Sequence, residues 1–113
     1  MAVNAAFLQV GAAAQATTVT HLSLHTAAPD ATGSNQSAAA RVTAGWATSN
    51  GTLTATGKSF TGGAASGPCT HVGFWSAVTG GTFYGSQSLT GDQSFNAAGQ
   101  YTVNSVTITP TAT

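Results

Sequence analysis

An all-β fold is predicted here: a small β-sandwich or jelly roll of roughly seven to eight short antiparallel strands behind a short Ala-rich N-terminal helix or arm. Three observations predict it. Short runs rich in Thr, Val, Phe and Tyr recur along the chain, several alternating apolar with polar residues. Turn-forming Gly, Asn and Pro separate these runs at a spacing typical of sandwiches. Helical spacing is confined to one segment near the start. At 113 residues the chain is one domain, divided as 1–16 for the helix or arm and 17–113 for the sandwich.

The helix is placed at 4–15 (NAAFLQVGAAAQ), where Phe7 and Val10 are three apart and Ala fills the gaps. Gly11 weakens it, so a partly extended arm is the other reading. Residues 17–25 (TTVTHLSLH) form a strand with Leu22 and Leu24 on one face and Val19, His21, Ser23 and His25 on the other. Residues 27–37 carry Pro29, Asp30, Gly33 and Asn35 and form a loop, long enough to carry contacts. In 40–46, Ala40, Val42, Ala44 and Trp46 alternate with outward Arg41 and Thr43, as in a strand. Asn50-Gly51 marks a hairpin, because a type I′ turn needs positive φ at both central positions.

The return strand is 52–56, 58–61 reads as another short one, and 62–68 is a glycine-rich loop. The most apolar strand, 69–76 (CTHVGFWS), belongs at the centre of a sheet. Thr79-Gly80-Gly81 turns it into 82–88. A short strand at 93–96, a turn at 97–99 and a closing strand at 101–109 (YTVNSVTIT) complete the order. The chain shows no internal repeat of roughly 20–50 residues, which argues against a solenoid.

Charge narrows the function. Only 4% of residues are charged, against a usual ~25%. They are Asp30, Arg41, Lys58 and Asp92, and the net charge is zero. Two basic residues cannot neutralise a run of phosphates, so neither nucleic acid nor an anionic membrane surface is an expected partner. No stretch approaches the roughly 20 apolar residues of a membrane span, and the N-terminus lacks the basic leader of a signal peptide. A neutral chain has nothing to repel its own copies, which suits a subunit packed against itself.

Chemistry is sparse. Asp30 and Asp92 stand in turns and are expected to cap backbone N–H groups, not to work as an acid–base pair. Cys69 is the sole cysteine, so an internal disulfide and a cysteine-based zinc site are both excluded. Cys69 and His71 share a strand face but sit roughly 6.5–7 Å apart along it, with no acid nearby to orient the imidazole. His21 and His25 would suit one metal on a helix; on a strand they stand about 13 Å apart, and adding His71 gives two ligands where zinc wants three or four. Gly57-Lys58-Ser59 echoes the end of a P-loop, but Thr52 stands where that motif needs glycine. Asn35-Gln36-Ser37 and Asn50-Gly51-Thr52 match glycosylation sequons, as chance allows in a Ser/Thr-rich chain. Trp46, Trp75 and Tyr84 are candidate sugar-stacking aromatics, although Trp46 and Trp75 lie in apolar strands that favour core packing. The expectation is a protein that is not an enzyme, with no catalytic residues, no cofactor and no metal.

Two segments carry a resemblance. The run 21–29 (HLSLHTAAP) with Thr32-Gly33-Ser34-Asn35, and the run 70–76 (THVGFWS) with Thr79-Gly80-Gly81, stand either side of Arg41. Together they resemble small virion structural proteins of tailed bacteriophages, particularly those of actinobacteria; relatives commonly carry Glu where Gln36 stands. The resemblance implies a virion protein at the particle surface. Its favoured form is a capsid decoration protein that binds the major capsid protein as a homo-oligomer, commonly a homotrimer, with 1–17 as an arm laid on a neighbour. The alternatives are a minor tail or fibre-tip protein partnered by other tail proteins, and a carbohydrate-binding module.

Overall fold

A computed structural model describes residues 5–49 and 51–108, with side chains from residue 10 onward. Helix α1 (Ala5–Thr18) is followed by β1 (His21–His25), β2 (Val42–Thr43), β3 (Ala47–Ser49), β4 (Thr52–Phe60), β5 (His71–Trp75), β6 (Phe83–Ser88) and β7 (Tyr101–Ile108). The strands form two antiparallel sheets, ordered β2-β1-β5-β6 and β3-β4-β7. Leu22, Leu24, Val72 and Phe74 of the first sheet share one core with Ala55, Phe60, Val103 and Val106 of the second, in the manner of a sandwich. The all-β prediction with an N-terminal helix holds, and β5 lies between β1 and β6 as its apolar sequence required.

Several boundaries differ for identifiable reasons. Helix α1 runs to Thr18, past the predicted end at residue 15 and through two residues assigned to a strand. The Thr17 hydroxyl donates to the Ala13 carbonyl and the Val19 N–H to Gln15 O, so the last turn is held by bonds that β-propensity does not weigh. Ala12 is fully buried and α1 packs on β3 and β4 of its own sandwich, so 5–18 is a docked helix and not a free arm. The arm's residues 1–4 lie outside the described residues.

The predicted strand 40–46 is two strands in different sheets. β2 pairs with β1 through Leu22↔Val42, the backbone turns at Gly45 (φ 58), and β3 enters the other sheet. The alternation of Val42, Ala44 and Trp46 is real, yet it reports only which side meets the core, and both sheets face the same core. Segment 93–96 forms a single bridge, Ser94 to Pro68, not a strand. Of the Asn50-Gly51 turn, Asn50 lies outside the described residues; Gly51 has φ 87, and Ser49 pairs with Thr52 across the predicted two-residue connection. Thr109, the expected end of the closing strand, is likewise outside them.

The two short strands predicted at 52–56 and 58–61 are one strand, β4, kinked between them. Before Gly57 (φ 62) the buried residues are Leu53 and Ala55; after it Phe60 is buried, so the inward face has shifted by one. Strand β7 shifts in step, from Val106 to Val103, across Asn104. Because both strands change face together, the pairing Leu53↔Ile108 at one end and Phe60↔Tyr101 at the other keeps one register.

Candidate functional site

The two sequence motifs meet on one face of the first sheet. Strands β1 and β5 pair antiparallel about Ser23↔Gly73, which sets His21 opposite Trp75 and His25 opposite His71. Leu22, Leu24, Val72 and Phe74 point to the core, so Ser23, His25, Gly73 and Trp75 share the other face. That face is buried as well: Ser23 and His25 are fully covered and Trp75 is 7% exposed. Its cover is the loop at 27–37. Gly33 (φ 78) lies so close to the Trp75 and Phe83 rings that a Cβ would come within 2.5 Å of the indole.

The hydrogen bonds beneath this loop have forced directions. His25 Nδ1 lies 2.8 Å from the Ser34 carbonyl, which only accepts, so Nδ1 carries the proton. His25 Nε2 therefore accepts, from the Ser23 hydroxyl at 2.7 Å. Ser23 Oγ in turn receives the Trp75 indole N–H at 2.8 Å. The chain Trp75–Ser23–His25–Ser34 ties β5, β1 and the loop together. It exists because residue 73 is glycine: a Cβ there would lie 2.5 Å from His25 Nε2 and 2.6 Å from Ser23 Oγ.

Arg41 closes the site from above. Its guanidinium lies 3.6 Å from the centre of the Trp75 ring, a cation–π contact. It donates to the carbonyls of Ala77 and Gly80 and to Gln36 Oε1, at 3.0, 2.8 and 3.1 Å. One cation thus joins the 27–37 loop to the 76–82 turn with no carboxylate involved. Burial pushes the His25 pKa below its usual 6.5; the Ser34 bond opposes this, while His71 and Arg41 add to it. No buried side-chain polar atom lacks a hydrogen-bond partner among the described residues.

The opposite border of the sandwich is open. β6 is the edge of one sheet and β7 the edge of the other. Between them runs a groove of about 670 Å³, bordered by Gln87, Thr90, Asp92, Tyr101 and Asn104 above apolar Val72 and Val106. A second, more apolar hollow of about 420 Å³ lies between the end of α1 and β6, against Phe74, Tyr84 and Ile108. The Gln87 side-chain amide crosses the seam to the Thr107 carbonyl at 2.7 Å.

A family model described as podophage GP4 fiber I protein gp80 matches residues 2–111. The chain belongs to this fibre family. Membership makes it a phage structural protein and part of the virion, the level at which the resemblance to virion proteins holds. Comparison with curated proteins and with solved structures gives no match.

Within this fibre-family chain, the sequence candidates take mostly structural positions. The Trp46 indole is half-buried, donating to the Val19 carbonyl and packing on Phe74, while Trp75 is sealed beneath Arg41 and offers no face for a sugar. Tyr84, 50% exposed beside the apolar hollow, keeps a free face. Asp30 accepts from the N–H and hydroxyl of Thr32, bonds that hold its carboxyl below the usual range, and Asp92 accepts from the Ser94 N–H; both shape turns as expected. Cys69 is fully buried, and desolvation with the nearby Asp92 charge pushes its thiol up to about 11. His71 is engaged by Thr70 and Ser88 instead. His25 and His71 do face each other, but the described residues hold no group of three His, Cys, Asp or Glu that could bind a metal.

Sequence reasoning weighed the histidines as metal ligands or as a thiol partner and missed the relay. A signal was present. The runs 20–25 (THLSLH) and 70–75 (THVGFW) share a Thr-His start, aliphatic and small positions, and a large ring at the end. Paired antiparallel, they bring each end ring over the other strand's small residue. Both Thr-His steps also make the same 2.8 Å contact from threonine Oγ1 to histidine Nδ1.

Proposed function

We propose that this fibre-family chain is a subunit of a phage tail fibre, assembled with copies of itself, commonly as a homotrimer, at the particle surface. It acts by assembly and attachment, not by catalysis. The family match over residues 2–111 carries this reading, because it covers the helix and all seven strands together. Charge supports it: with a net charge of zero, copies approach without mutual repulsion, and the open β6–β7 seam, with Asp92 at its rim, is otherwise a surface of neutral polar and apolar groups on which they or other tail proteins can pack. His25 and His71 support a structural role too, since both ring nitrogens of each are engaged by Ser, Thr or backbone groups.

The test is position. Antibody against the chain, imaged on purified virions, is expected to mark the fibres at the tail, with a few to a few dozen copies per particle. Label confined to the head shell, with hundreds of copies, would overturn the fibre reading in favour of capsid decoration on the major capsid protein.

A further inference from the structure

We propose that His25 is an acid-sensitive latch on the 27–37 loop: the neutral ring ties the loop to β1 and β5, and protonation releases it. The proposal rests on the forced bond directions. A neutral ring has one donor and one acceptor, and here both are used inside the protein, Nδ1–H on Ser34 O and Nε2 on the Ser23 hydroxyl. A proton on Nε2 would turn that acceptor into a donor. It would face an oxygen that already receives the Trp75 N–H, and the Ser23 proton would lose its acceptor.

The surroundings offer the new charge no compensation. From its own strand the ring meets Ser23; from β5 it meets Gly73 and, in register, His71. From β6 it meets the Phe83 ring at 5.9 Å, and beyond Trp75 stands the Arg41 guanidinium. His71 and Arg41 both disfavour a cation at His25. Asp30, the loop's carboxylate, is committed to Thr32. The ring is fully buried while the loop is down, so the charged form is solvated only once the loop lifts. The loop's other ties on this face are Gln36 to Arg41, the Thr26 N–H and hydroxyl to Asn35 O, Ser37 N–H to Leu24 O, and the packing of Gly33 on the Trp75 and Phe83 rings.

The size of the effect follows from linkage. A ring held neutral when latched, with the ordinary pKa of 6.5 when free, raises the opening constant by at most about 30-fold between pH 7.5 and pH 5.0. The purified full chain is read by hydrogen exchange, as protection factors, so the outcome is independent of where the protein sits in the particle. Protection at the Thr26 and Ser37 amides is expected to fall by up to about 30-fold over that range, with Val103 in β7 falling less. His25→Gln removes the pH dependence and His71→Gln keeps it. Should His25→Gln fail to fold, the wild-type ring titration by NMR decides alongside His71→Gln: a His25 ring neutral well below pH 6.5 supports the latch. A His25 that titrates near 6.5 while the loop stays protected overturns it, as does pH-independent protection at both amides.

Discussion

The centre and one edge of the first sheet are built on opposite plans. Around β1 and β5 the buried polar groups are all consumed: the Trp75 indole, Ser23 hydroxyl and His25 imidazole each meet a partner, as does the Arg41 guanidinium above them, and a loop seals the face. Along β6 the burial pattern alternates only between half-buried and exposed, and a groove separates it from β7. A chain with only two cations commits Arg41 to backbone carbonyls and a tryptophan on the sealed side and places neither cation along the seam. The contrast separates a rigid platform from a surface free to make contacts.

The largest way to break this contrast is Trp75→Ala. The substitution removes a nearly buried indole, the ring beneath Arg41 and the first donor of the relay, and is expected to cost about 3–5 kcal/mol. Set against the ~5–15 kcal/mol that a domain usually holds, that loss threatens folding. Urea unfolding of the variant measures it; an unchanged midpoint would mean the platform does not hold the sheet.

Trp75 also marks how far the sequence could be read. Alternation separated Leu22 and Leu24 from Ser23 and His25 because a sandwich strand normally buries one face, and the same rule gave no sign that the second face is buried too. Its burial depends on a loop folding back over the sheet, and no local pattern in 27–37 encodes a cover. The break at Gly45 escaped for a related reason: alternation continued across it while the chain changed sheets. The kink at Gly57 was half legible, since glycine there suggested an interruption; that β7 would bend in phase depends on the pairing partner.

A second break tests the sealed face from its floor. Gly73→Ala places a methyl group within 2.5 Å of His25 Nε2, in backbone and side chains fixed by several bonds, and is expected to cost about 1–3 kcal/mol as an overpacking change. Its signature is loss of the Trp75 indole N–H shift in the NMR spectrum together with a lower melting temperature. Gly57→Ala serves as the comparison on the other sheet. Nothing lies within 4 Å of the added methyl, so only the left-handed backbone at φ 62 opposes it, at about 1–2 kcal/mol. If Gly57→Ala proved the costlier of the two, steric crowding at the relay would not be what demands glycine at 73.

The smallest effect belongs to the seam. Gln87 sits at a half-buried position, and its amide meets the Thr107 carbonyl where water can replace it. Gln87→Ala is therefore expected to cost about 0.5–1.5 kcal/mol, toward the lower end because both groups can be solvated. Its more telling effect is on motion: hydrogen exchange at Thr107 and Ser88 should quicken more than at Ser23 and His25, which reach the bridge only through the β5–β6 ladder at Val72↔Gln87. Equal loosening at the sheet's centre and at its β6 edge would show that the sandwich opens as one unit. Loosening confined to β6 and β7 would identify the seam as the border that can reshape against a neighbouring subunit without disturbing the sheet behind it.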